Sequence, residues 1–184
     1  SFGSDAVAAM GIAQKINMVP MYIALGFSQG IMPLIGYNYA SKNTDRMKKT
    51  VTFSAKLSVI FITSMSVLYF IFAPSLTTMF IKNADVVAYG TRFLRGLCLG
   101  LPFLCIDFLG VGVFQSCGLG KNALAFAILR KIVLEIPALV ILNKLFPLYR
   151  LAYAQFAAEI ILATAAIIVL ARLFKKLEKE NEKI

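Results

Sequence analysis

Five charged side chains stand inside long apolar runs of this chain, and they are where chemistry could occur. Asp107 lies eleven uncharged residues after Arg95 and thirteen before Lys121. An ionised Asp at the centre of a bilayer-spanning helix costs about 2.5–3.5 kcal/mol. It is therefore expected to face a bundle interior or a wet cavity, where a carboxylate can exchange a proton or hold a cation such as Na+. A hydrogen bond to a neighbouring helix is the competing, purely structural reading. Arg130, Lys131 and Glu135 form a second group. Lys131 and Glu135 are four residues apart and share a helix face. Arg130 lies about 100° round the helix from Lys131 and needs another partner, for which Glu159 is expected at a matching depth. Asp107, Glu135 and Glu159 are thus the candidate cation or proton carriers, with Arg130 and Lys131 as the charge network around them. Internal pairing that merely lowers the insertion cost is the alternative for the second group.

Much other chemistry is excluded. The chain has no histidine, which rules out His-based triads and His-ligated zinc. No Walker-type loop occurs, and "GLGK" at Gly118–Lys121 lacks both the upstream glycine and the Ser/Thr. It reads as a helix-ending turn. Cys98, Cys105 and Cys117 show no CxxC spacing and read as small buried hydrophobes. No hydrolytic site and no cofactor motif is legible. A net charge of +10 could suggest nucleic acid, but the basic residues sit between the apolar runs rather than in a groove or finger. Nucleic acid is not an expected partner; a lipid bilayer is.

The elements that must position these residues follow from the runs. With 59% hydrophobic and 15% charged residues in 184, the chain is too apolar for an ordinary soluble domain. Ile16–Ser41 and Leu57–Ile81 carry no formal charge over 26 and 25 residues. Gly96–Gly120 carries only Asp107, Asn122–Asn143 carries Arg130, Lys131 and Glu135, and Leu151–Ala171 carries only Glu159. A membrane helix needs about 20 mainly apolar residues. The expected fold is an all-α, polytopic membrane bundle of about five transmembrane helices. Residues 1–173 would form the bundle and 174–184 a charged tail. If the helices alternate in direction, Lys42, Arg46, Lys48, Lys49, Lys121, Arg172, Lys175, Lys176, Lys179 and Lys183 share one side. Lys82, Arg92, Arg95, Lys144 and Arg150 take the other. The excess of Lys and Arg places the first side, and the C-terminus, in the cytoplasm. The tail is expected as a solvated, frayed helix end, with contact to anionic lipid headgroups as a second option.

Within the first run, Pro20 and Pro33 are the expected kink sites. Gly26 and Gly30 form a GxxxG that permits close helix approach, or a spacing that arises by chance. Gln29 and Asn38 are polar groups that need partners. The second helix is expected from about Thr50 to Ile81 as scaffold. The third, from about Ala88 to Ser116, contains Pro102 and several glycines and is the one most able to bend.

Two segments then take on a family likeness. "GFSQGIMPLIGYN" contains Gly26, Gln29, Gly30, Pro33, Gly36 and Asn38 in the order G-x-x-Q-G-x-x-P-x-x-G-x-N. This resembles a helix of multidrug and toxic compound extrusion (MATE) transporters that ends in a short basic loop. "GLPFLCIDFLGVGVFQSCGLGKNALAFAILRKIVLEIPALVIL" resembles the family's tenth and eleventh helices, with Pro102, Phe114, Gln115, Gly118, Lys121, Arg130 and Pro137 in place. The chain departs from the pattern at "NYASKN", where the family has a turn like "NYGAKK". The resemblance implies helices eight to twelve of a twelve-helix, two-lobe protein in the plasma membrane. It implies export of cationic amphipathic drugs in exchange for protons or sodium, with no cofactor beyond the coupling ion and with the N-terminal lobe as partner. Asp107 matches the depth of a tenth-helix carboxylate that contributes to the cation site in some members. Gln29 and Gln115, with Met21 and Met32, are cavity-lining candidates, although core filler is the plainer reading of each methionine. A lipid-linked oligosaccharide flippase of the same architecture is the alternative, with Arg92, Arg95 and Arg130 suited to a pyrophosphate. An inactive partial lobe is the third reading.

Overall fold

The computed structural model describes residues 4–129 and 150–181. Its described elements are all helices: α1 Ser4–Ala40, α2 Thr44–Ile71, α3 Ala73–Phe80, α4 Ala84–Ser116, α5 Gly120–Ile128 and α6 Arg150–Asn181. Among the described residues α1, α2, α4 and α6 are long and apolar enough to cross a membrane. They coincide with the first, second, third and fifth apolar runs. The fourth run begins in α5 and then passes outside the described residues.

Local chemistry sets the helix boundaries. The Asn43 side chain accepts from the Arg46 N–H at 3.0 Å, and Asn83 accepts from Asp85 and Val86 at 2.9 and 3.3 Å. Each supplies the acceptor that the first turn of its helix lacks. α1 runs unbroken through Pro20 and Pro33 and is about 55 Å long at 1.5 Å per residue. The expected second helix differs from the observed one at both ends. α2 starts earlier, at Thr44, and stops at Ile71, where Phe72 leads into the short α3. Pro74 is the cause, because it has no N–H to donate to the carbonyl four residues back. That carbonyl, Phe70 O, instead accepts from Arg95 Nε at 3.2 Å, and the Arg95 guanidinium lies 5.2 Å from the Phe70 ring centroid.

α4 is the central helix. Of its most apolar stretch 67% is buried, against 22% for α1 and α2 and 28% for α6. α1 lies parallel to it: Gly90 faces Ala9, Ser28 Oγ donates to Phe108 O at 2.6 Å, and Gly36 faces Ser116 O. α6 is parallel as well, with Gly100 against Phe156 and Glu159 and Gly110 against Ala166 and Leu170. α2 is antiparallel to them. Ser66 Oγ donates to Cys98 O at 2.5 Å, and Lys48 at its start pairs with Glu178 near the end of α6 at 2.8 Å. The ends of α1, α4 and α6 therefore meet at one end of the bundle. This groups Lys42, Lys121 and the basic residues of α6 as the alternation of runs required.

Close approach of small residues holds these helices together, since lipid gives apolar side chains little reason to leave it. Val51, Ser54, Ser58, Ile62 and Ser66 form one buried stripe on α2. Cys98, Cys105 and Cys117 are buried thiols. The GxxxG on α1 behaves differently: among the described residues, a Cβ at Gly26 or Gly30 would meet nothing within 4 Å. Gly26→Ala and Gly30→Ala are therefore expected to leave the melting temperature of the purified protein unchanged or slightly raised, since alanine is the better helix former. A clear loss of stability would mean that another helix docks there.

α1 and α4 end on the same device. Leu119 N–H bonds to Phe114 O at 2.8 Å and Gly118 N–H to Gln115 O at 3.1 Å, with Gly118 at φ +70°. Asn43 N–H bonds to Asn38 O at 2.9 Å and Lys42 N–H to Tyr39 O at 3.1 Å, with Lys42 at φ +56°. Both are Schellman motifs, in which glycine is the favoured residue at the left-handed position. Gly118→Ala is expected to lower stability by about 1–2 kcal/mol, read as a fall in melting temperature. Lys42 already bears a cost of that kind.

Candidate functional site

The acids single out the seam between α4 and α6. Asp107 on α4 is 1% exposed and Glu159 on α6 is 4% exposed. A Cβ at Gly100 would lie 3.6 Å from Glu159 Cγ, so the absence of a side chain there makes room for the glutamate. Phe103 and Phe156 meet edge to face beside it, with centroids 5.7 Å apart. Asp107 follows Gly100 by seven residues, which returns it to within about 20° of the same face, about 10 Å further along the axis. One helix–helix seam thus carries both carboxyls, two turns apart in level. Each is engaged by groups around it. Among the described residues no three His, Cys, Asp or Glu side chains converge as a metal cluster.

The other expected site residues divide. Asn38 is buried, and its Nδ2 donates to Leu34 O at 2.7 Å. Pro102 is half-buried within α4. Gln29, Gly30 and Pro33 are exposed on α1, and Gln115 is exposed near the end of α4. They stand on the outside of the described bundle and not in a cavity within it. With Tyr22, Gly26 and Tyr37, the α1 group forms a stripe opposite the face that packs on α4. Met32 packs at the α1–α4 contact and Met21 against the core, as filler would. Arg130, Lys131 and Glu135 lie outside the described residues, and with them the expected Arg130–Glu159 pair.

Two buried polar groups escape a reading of the sequence. Ser28 is 3% exposed and bridges α1 to α4. Asn17 is 7% exposed, and its Oδ1 has no hydrogen-bond partner among the described residues. Both stand in the same uncharged run as Gln29 and Asn38, so amide and hydroxyl content alone does not separate buried from exposed. Their helical phase does. Asn17 is about 180° from the exposed Gly26, and Ser28 about 160° from it.

These features define a multi-pass membrane protein of packed helices with an acid-bearing seam at its centre. The chain belongs to the MatE family, whose family model matches residues 1–141. Multidrug export protein MepA of Staphylococcus haemolyticus is 32% identical over 178 residues, which cover 96% of this chain and 39% of that protein. Among solved structures, an outward-facing multidrug resistance MATE family transporter of the MOP superfamily superposes with a TM-score of 0.90 at 19% identity. The Vibrio cholerae MATE transporter VcmN in its bent form gives 0.88 at 20%. Each of these two alignments covers 96% of this chain and 40% of the solved one. The chain therefore spans about two-fifths of the length of the relatives it matches.

Proposed function

We propose that this chain forms the C-terminal part of a secondary multidrug efflux transporter, corresponding to helices eight to twelve of a two-lobe protein in the plasma membrane. Residues 1–173 form the membrane bundle and 174–184 a tail on the cytoplasmic side. Cationic amphipathic compounds are the substrates, and protons or sodium drive their exit. The buried Asp107 carries this reading, since a carboxyl in the least exposed helix of such a bundle is costly to keep there. Glu159 supports it from across the α4–α6 seam, with Glu135, Arg130 and Lys131 as the remaining charges. Asp107 is 1% exposed in this conformation, so ion access requires the helices around it to part. The exposed stripe of Gly26, Gln29, Gly30 and Pro33, with Gln115, faces the substrate cleft and the N-terminal lobe. The flippase alternative draws on Arg92, Arg95 and Arg130, and Arg95 is engaged at the end of α2. The protein is a transporter and not an enzyme.

The test is transport by the natural full-length protein in proteoliposomes. Under an imposed proton or sodium gradient, a fluorescent organic cation is expected to move against its own gradient. Movement of a lipid-linked oligosaccharide without movement of the cation would overturn the reading.

A further inference from the structure

The basic end of the bundle contains a cleft that the transport reading does not use. It has a volume of about 320 Å³ and lies between the α1–α2 turn and the end of α6, lined by Tyr39, Lys42, Thr44, Met47, Leu177 and Glu180. Its floor is apolar: Met47 is fully buried, and Leu177 packs on the same core. Its rim is polar, with the Tyr39 phenol, the Thr44 hydroxyl, the Lys42 ammonium group and the Glu180 carboxylate. Residues 42–49 and 172–180 carry eight basic side chains at this end of the bundle, namely Lys42, Arg46, Lys48, Lys49, Arg172, Lys175, Lys176 and Lys179, against Asp45, Glu178 and Glu180, and Lys42 lines the cleft itself. Glu178 pairs with Lys48 at 2.8 Å across the two walls, and Glu180, itself on the cleft, lies 3.8 Å from Lys176.

We propose that this cleft seats the headgroup of an anionic phospholipid, with Lys42 at its phosphodiester. The position suits a lipid, because the cleft opens where the apolar helices give way to charge. An acyl chain can leave it along the exposed apolar face of α2, where Phe53, Leu57 and Ile60 face outward. The shared chemistry is a phosphate anion beside an apolar floor; the floor and the bordering lipid face select a lipid over free phosphate. Lys42 is held in a left-handed backbone conformation at the turn where the matching turn of α4 has Gly118. Lys42 supplies the cleft with its cation.

The natural full-length protein, purified in detergent with equal amounts of phosphatidylglycerol and phosphatidylcholine, tests this by native mass spectrometry. Phosphatidylglycerol is expected to be retained preferentially, and Lys42→Gln or Lys42→Gly to lower that retention about fivefold. Lys42→Gly relieves the backbone, so its melting temperature is expected to hold or rise, which separates binding from folding. Lys121→Gln removes the same charge at the same end but outside the cleft, and is expected to leave retention unchanged. Equal losses in the Lys121 and Lys42 variants would reduce the effect to diffuse charge and overturn the site. So would unchanged retention in the Lys42 variants, or displacement of the lipid by inorganic phosphate at equal concentration. None of these readouts depends on transport.

Discussion

Asp107→Asn is expected to abolish driven export while leaving the protein in the membrane. Asparagine keeps the shape of the side chain and removes its capacity to carry a proton or a cation charge. One proton or sodium ion entering down a tenfold gradient supplies about 1.4 kcal/mol, which sustains an about tenfold gradient of a monovalent cation leaving in exchange. If Asp107 carries that charge, energised vesicles containing the variant should show an inside-to-outside ratio of the fluorescent cation near unity. Binding of the same cation without a gradient should persist, because the exposed α1 stripe is untouched. Glu159→Gln is expected to give a partial loss, since that carboxyl shares the seam two turns away. Wild-type accumulation by Asp107→Asn, with the same dependence on the imposed gradient, would remove Asp107 from coupling and leave it the structural reading of a hydrogen-bonded helix contact.

The second large effect concerns Gly112. A Cβ there would collide with Ser28 Oγ and stand 3.4 Å from Ser28 O and 3.6 Å from Met32 Cγ. Ser28 cannot step aside without giving up its 2.6 Å bond to Phe108 O. Gly112→Leu therefore has to push α1 and α4 apart at the tightest point of their contact, an overpacking cost of about 3 kcal/mol. The measurement is the melting temperature of the purified protein, together with its abundance in the membrane. A several-fold drop in abundance should accompany the loss. Gly26→Leu, the same change on the open face of α1, should leave both nearly unchanged. If Gly112→Leu melts like the wild type, the α1–α4 contact is looser than the geometry indicates.

Charge spacing made the bundle legible, and helical phase limited how far the site could be read. Runs without charge have one physical explanation in a bilayer, so α1, α4 and α6 fall where Ile16–Ser41, Gly96–Gly120 and Leu151–Ala171 place them. Their shared direction follows from alternation. The break at Phe72 was not legible, because Pro74 can sit in a kinked helix or start a new one. Here Arg95, which takes up the Phe70 carbonyl, makes the second outcome stable. Asp107 and Glu159 stand out in sequence because nothing else nearby is charged. Which way Gln29, Asn38 and Gln115 turn depends on the partners of each face, and a polar type alone does not say. α6 continues as a helix past Leu173 to Asn181, beyond the frayed end that the alternating charges suggest, and Lys48 meets Glu178 there across 130 residues of sequence.

The common direction of α1, α4 and α6 has an electrostatic consequence. Each helix carries a macrodipole equivalent to roughly half an electron charge at either end, negative at its C-terminus. Three of them point the same way, and their negative poles converge where Lys42, Lys121, Lys175, Lys176 and Lys179 are gathered. The lysines gathered at that end thus offset the field of the helices they terminate. Sequences free to vary there should tolerate an exchange of one cation for another more readily than its loss.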